Sequence, residues 1–148
     1  MAPIATLRSA TISLVAGITG EVVVNLAVTD AERSGRWYAS LLGMVETSRY
    51  TDPGGRVAQV CLRDESSGLE LCLVGHGAGE FDEHRTGLDH LELIVADHAD
   101  LAEWSARLDE LGIGHSGVKQ PEYSPNAMIT FRDPDNIQLE FFCRPTRH

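Results

Sequence analysis

The chain repeats itself, and the repeat limits its fold more than any other feature. Residues 22–44, "VVVNLAVTDAERSGRWYASLLGM", match residues 89–113, "DHLELIVADHADLAEWSARLDELGI". Asp30 and Asp97, Trp37 and Trp104, and Leu41 and Leu108 all stand 67 positions apart, and Gly43 and Gly112 stand 69 apart. In each copy an alternating apolar stretch, Val22 to Val28 or His90 to Val95, predicts a strand that runs into an aspartate suited to cap a helix. Trp37, Tyr38, Leu41 and Leu42 form one apolar helical stripe that Gly43 ends. Leu101, Trp104, Leu108 and Leu111 form the other, ended by Gly112.

Strand-like sequence follows each helix. The first copy gives Met44 to Tyr50, the turn "TDPGG", Arg56 to Arg63, the turn "DESSG", and Leu69 to Val74. The second gives Ile113 to Val118, a loop holding Pro121 and Pro125, Ala127 to Arg132, the turn "DPDN", and Ile137 to Cys143. Each copy therefore reads as a βαβββ module. The expected division is an N-terminal extension at 1–20, a first module at 21–75, a polar glycine-rich linker at 76–87 and a second module at 88–145. A module of about sixty residues buries too little surface to stand alone. The two are expected to pair their sheets around a central cleft in one α+β domain. Equivalent positions would then converge across a pseudo-two-fold axis.

Composition narrows the function. The 148 residues carry 12 Lys plus Arg against 22 Asp plus Glu, a formal charge of -10 that repels phosphate backbones and anionic membranes. Nucleic acid and membrane partners are excluded on that ground. No run of about 18 apolar residues exists to span a bilayer, and the opening "MAPIATLRSATISLVAGITG" lacks the pattern of a signal peptide. It reads as an extended lead-in or extra edge strand. Cys61, Cys72 and Cys143 show no paired spacing, which predicts reduced thiols, core packing and a cytoplasmic protein.

One charge lies where a strand should be buried. Along "IQLEFF", Gln138, Glu140 and Phe142 share one face and Ile137, Leu139 and Phe141 the other. An unpartnered buried carboxylate costs several kcal/mol, so Glu140 calls for a cation, a metal or a donor. On the opening strand of the same module His90, Glu92 and Ile94 share a face. His90 and Glu140 therefore make a candidate half of a divalent-metal site. A strand histidine is also a common hydrogen-bonded core residue. His76 reads as a solvated loop side chain, and Trp37, Tyr38 and Trp104 read as core.

With "VTDAERSGRWYASLLGM", "GLDHLELIVAD" and "FRDPDNIQLEFF" in place, the chain resembles the vicinal oxygen chelate superfamily over Glu21 to Pro145. That superfamily includes glyoxalase I, bleomycin-resistance proteins, methylmalonyl-CoA epimerase and extradiol dioxygenases. The resemblance implies four ligands, two per module, on the first and last strands of each. His90 and Glu140 match the second pair. Val23, 67 positions before His90, cannot bind a metal. The counterpart of Glu140 falls at Leu71 by offset, and a one-residue adjustment selects Glu70 or Cys72. Glu70 suits a hard cation and is preferred, Cys72 suits Zn, and neither remains an option.

The resemblance implies a homodimer with a small-molecule site. A set of Glu70, His90 and Glu140 would hold divalent Fe, Mn, Ni, Co or Zn, with Glu140 or Glu70 also moving a proton and Glu92 a weaker candidate. The chemistry would be that of a lyase, isomerase, epimerase or dioxygenase on a vicinal-oxygen substrate. Arg49, Arg56 and Arg63 are isolated and form no evident anion clamp. Two alternatives stay open: metal-free sequestration of a ligand in the manner of bleomycin-resistance proteins, and a non-catalytic subunit with a vestigial cleft.

Overall fold

The structure is a computed structural model that describes residues 16–144. Most of the N-terminal lead-in expected at 1–20 lies outside the described residues, as does Pro145. The first module comprises β1 (Val23–Ala27), α1 (Ala31–Leu42), β2 (Val45–Thr51), β3 (Val57–Arg63) and β4 (Glu70–Val74). The second comprises β5 (Leu91–Ile94), α2 (His98–Glu110), β6 (Ala127–Arg132) and β7 (Gln138–Cys143). The elements form a four-stranded sheet ordered β1-β4-β3-β2 and a three-stranded sheet ordered β5-β7-β6, an α+β architecture. In each, the first strand runs parallel to the last.

Local chemistry sets these boundaries. Asp30 caps α1 by accepting from Arg33 N at 3.0 Å, and Gly43 closes the helix at φ 68°. Asp97 and Asp100 form a reciprocal capping box on α2.

The second module departs from the expected pattern. Residues 113–118 make no strand, and the stretch touches β6 only through isolated bridges, His115 to Phe131 and Lys119 to Met128. Side chains share the pairing with the backbone there: Ser116 N donates to the Thr130 carbonyl at 2.9 Å, while Gly117 N donates to His115 Nδ1 and Thr130 N to Ser116 Oγ, both at 3.0 Å. Gly117 also sits at φ 70°, where a strand cannot continue.

The two halves meet through their core faces. Leu26, Val60, Leu62, Leu71, Leu73, Ile129, Leu139 and Phe141 share one buried cluster with Tyr38, Leu101 and Leu108 from the helices. Helix α1 packs on β3 and also reaches β6, where Tyr38 Oη donates to Asp133 Oδ2 at 2.8 Å and Trp37 lies 6.4 Å from Phe131. Trp104 stacks on Phe141 at 4.2 Å, so both tryptophans are core residues. Arg107 of α2 donates to the carbonyls of Ser40 and Leu41 at 2.7 and 3.2 Å. Because each sheet turns one face to this shared core, the face carrying Glu140 and the face carrying Glu70 lie on the outer sides of their own sheets.

Cysteine chemistry corrects a sequence expectation. Cys61 and Cys72 are joined in a disulfide, and Cys143 alone is a free thiol, buried in the core. The pairing arises because β3 and β4 register Cys61 directly opposite Cys72. Reduced thiols therefore no longer argue for a cytoplasmic location. Among the described residues no helix is long and apolar enough to cross a membrane.

Candidate metal centre

The parallel pairing of β5 with β7 sets Glu92 opposite Glu140, and His90 enters from the residue before β5. Leu139, Phe141 and Cys143 point into the core, so strand alternation sends Glu140 to the other face. His90 Nε2 stands 4.0 Å from Glu140 Oε2 and 3.2 Å from Glu92 Oε1. One atom from each of His90, Glu92 and Glu140 falls within 4.8 Å of the others. Glu140 is 6% exposed, and among the described residues no hydrogen-bond donor satisfies its carboxylate. Its nearest cationic partner is the imidazole, at a distance too long for a hydrogen bond.

Asp89 completes the surroundings. Its Oδ1 lies 2.5 Å from His90 Nδ1, which holds a proton there and turns Nε2 towards the two glutamates. The sequence reading gave Asp89 no role. An acidic residue immediately before a strand-entry histidine is the signal that could have found it.

Electrostatics follow from this crowding. Burial pushes the Glu140 carboxyl above its ordinary 4.5, the His90 charge opposes that rise and Glu92 adds to it. Hydrogen bonds that the imidazole donates to Asp89 and then Glu92 lift His90 above 6.5, burial opposes them, and the Glu140 charge adds to the rise. Three carboxylates thus surround one imidazole, which neutralises at most one of them.

The first module's face is different. Val23 pairs with Glu70 and Asn25 with Cys72 on β1 and β4, while Glu92 pairs with Glu140 on β5 and β7. Since Val23 is the repeat counterpart of His90, Asn25 corresponds to Glu92, Cys72 to Glu140 and Glu70 to Gln138. The arginines agree: Arg63 Nη1 binds Glu70 Oε1 at 2.6 Å as Arg132 Nη2 binds Gln138 Oε1 at 3.1 Å. Glu70 is therefore tied to Arg63 and is not brought to the His90–Glu92–Glu140 group within this chain. Cys72 sits at the ligand position, held in the disulfide.

The remaining candidates are occupied or solvated. His76 is exposed. Arg49 binds Glu32 and Glu46, and Arg56 binds the Gly75 carbonyl. A second acidic group, Asp82, Glu83 and His84, lies on the linker, where Arg132 and Arg85 already pair with it.

With this geometry established, comparison places the chain among known proteins. Residues 21–141 match the family model for the Glyoxalase/Bleomycin resistance protein/Dioxygenase superfamily. A glyoxylase/bleomycin resistance protein/dioxygenase domain from Frankia sp. EAN1pec is 30% identical, with a TM-score of 0.74 over 89% of this chain and 96% of that one. Two further structures share the fold at lower identity. The fosfomycin resistance protein FosX from Listeria monocytogenes, complexed with Mn(II) and sulfate, is 18% identical, with a TM-score of 0.64 over 87% of this chain and 95% of that one. Lactoylglutathione lyase from Agrobacterium tumefaciens is 16% identical, with a TM-score of 0.64 over 85% of this chain and 94% of that one. No curated protein matches.

Proposed function

Because the chain belongs to the Glyoxalase/Bleomycin resistance protein/Dioxygenase superfamily, we propose that it is a divalent-metal-dependent enzyme acting on a small substrate with adjacent oxygens. One observation carries this reading. A nearly buried carboxylate, Glu140, faces His90 and Glu92 without a hydrogen-bond donor among the described residues. One imidazole nitrogen and two carboxylate oxygens suit a first-row divalent ion such as Mn, Fe, Co, Ni or Zn. Relatives with the same fold support the idea, since one FosX structure holds Mn(II) and another holds Mn(II) with a dihydroxypropylphosphonic acid.

Bound there, the ion would supply Lewis acidity to two adjacent substrate oxygens. The side chains divide the remaining work. Asp89 keeps His90 in the tautomer that offers Nε2. Glu140 is held by β7, and burial favours its protonated form, which suits it to exchange a proton with substrate. Glu92, half exposed at the strand edge, can bind or act as a second proton acceptor.

We further infer that a second copy of the chain roofs the site. Among the described residues β1 and β5 each end a sheet without a partner on the outer side, and the apolar Val22 before β1 and Ile94 of β5 are 72% and 52% exposed. Setting one copy's β1 face against the other's β5 face would enclose His90 and Glu140 without disturbing the shared core. The partners are then a small-molecule substrate and a second copy.

Protein purified without chelators should carry near-stoichiometric transition metal, and His90→Ala and Glu140→Gln should each lose it. Metal-free wild-type protein that takes up no added Mn(II) or Zn(II) in calorimetry would sink the proposal. A second reading, metal-free sequestration, draws on Val23 and the disulfide, which leave the first-module positions equivalent to His90 and Glu140 without a free ligand. Tight ligand binding that survives His90→Ala would favour it.

A further inference from the structure

The disulfide occupies a position that the fold reserves for chemistry. Cys72 pairs with Asn25 as Glu140 pairs with Glu92, and Cys61 pairs with Cys72 as Thr130 pairs with Glu140. Cys72 is 6% exposed but does not join the cluster shared by the two modules, because Leu71 and Leu73 beside it take that face of β4. The Gln59 amide donates to Cys61 Sγ at 3.2 Å.

Stabilisation of the fold does not by itself explain why the pair stands opposite Asn25, at the position equivalent to Glu140. The bond closes a loop with a sequence separation of 11 between strands that the β3–β4 ladder already aligns. A cross-link stabilises mainly by restricting the unfolded chain, and it does so less for a short loop such as this one than for a long one.

We propose that Cys61 and Cys72 form a redox couple that switches a sulfur donor into and out of the metal centre. The inference rests on the metal site and its roofing by a second copy. In the disulfide state the first module offers the ion no sulfur donor, and one imidazole with carboxylates makes a hard donor set. A dithiol reductant transfers two electrons and two protons to the S–S bond, which breaks to give two thiols while the reductant closes to its own disulfide. Cys72 then loses its proton to solvent on binding the ion beside the other copy's His90 and Glu140. The reduced site selects thiophilic cations of the Zn(II) and Co(II) class.

The test uses whole protein with Co(II) and Zn(II) as probes. Unfolded under non-reducing conditions, air-purified protein should show one titratable thiol, Cys143, and three after dithiothreitol treatment. Reduced protein with Co(II) should gain the near-ultraviolet thiolate-to-cobalt band that oxidised protein lacks. Zn(II) should bind the reduced form about tenfold more tightly or better, the scale on which metal sites respond to a supporting group. Cys61→Ser should show the band without reductant, and Cys72→Ser should never show it. Three thiols before reduction overturn the proposal. So does Co(II) binding with one spectrum and one affinity in both redox states, which leaves the metal reading standing. Failure of Co(II) to bind in either state overturns both, and so separates the two failures.

Discussion

Glu140 shows how much one residue can reveal and where that stops. Alternation along "IQLEFF" puts it opposite the core-facing Leu139 and Phe141, and the structure agrees. Its need for a partner was readable because an unpaired buried charge is costly. Its first-module counterpart was not readable, since a single residue in the "DESSG" turn moves the register between Glu70, Leu71 and Cys72. Hydrogen bonding between β3 and β4 settles it on Cys72. The pair itself carried a signal, for Cys61 and Cys72 flank that turn, separated from its ends by two and three residues. The site's electrostatics give a signed prediction for chelated protein. Glu140 is raised above 4.5 and His90 above 6.5, so each favours the folded state at low pH and loses that contribution as pH rises through its folded value. Thermal melts in EDTA should show stability falling as pH climbs past 4.5 and again past 6.5. Glu140→Gln should remove the first step and His90→Gln the second. Saturating Mn(II) or Zn(II) at neutral pH should restore about 2.7 kcal/mol at a hundredfold excess over Kd.

At the scale of elements, the 67-residue repeat foretold both helices and their caps, because capping and helical periodicity are local. It failed at 113–118, where apolar alternation suggested a strand but His115 and Ser116 take the backbone donors instead. Gly35 tests how tightly α1 sits on its sheet. In an exposed helix, Gly→Ala stabilises by about 1 kcal/mol. Here an added Cβ would stand 2.9 Å from Val60 Cγ1, and Val60 is fully buried on β3. The sign should reverse: Gly35→Ala should cost about 1–3 kcal/mol in urea unfolding, the usual penalty of overpacking. The double variant Gly35→Ala, Val60→Ala should recover part of that loss, relative to the two single changes summed, because the clash and the cavity fall on the same spot. Additive losses would mean that α1 rides farther from β3 than described.

At the scale of the molecule, the two modules spend their apolar faces on each other, and that choice decides where function can sit. Neither module could bury a core alone, so the shared cluster of Tyr38, Leu101, Leu139 and their neighbours was predictable in kind. Its geometry was not, because the sequence cannot say whether two sheets meet edge to edge or core face to core face. The contact of Tyr38 with Asp133 selects core faces and, among the described residues, leaves β1 and β5 as open edges at the ends of their sheets opposite β2 and β6. An open edge carrying Val23 or Ile94 is an invitation to another strand, and a lysine on such an edge is the usual way to refuse it. Val23→Lys and Ile94→Lys should therefore each turn a dimer into a monomer in sedimentation equilibrium at about 10 μM, with far-ultraviolet circular dichroism unchanged. Neither side chain belongs to the core cluster, so folding should survive the change. Metal affinity should fall in both variants, although neither touches His90 or Glu140, because the site would lose the copy that shields it from water. A wild-type chain that sediments as a monomer and still binds its ion with full affinity would show that one protomer builds the centre by itself.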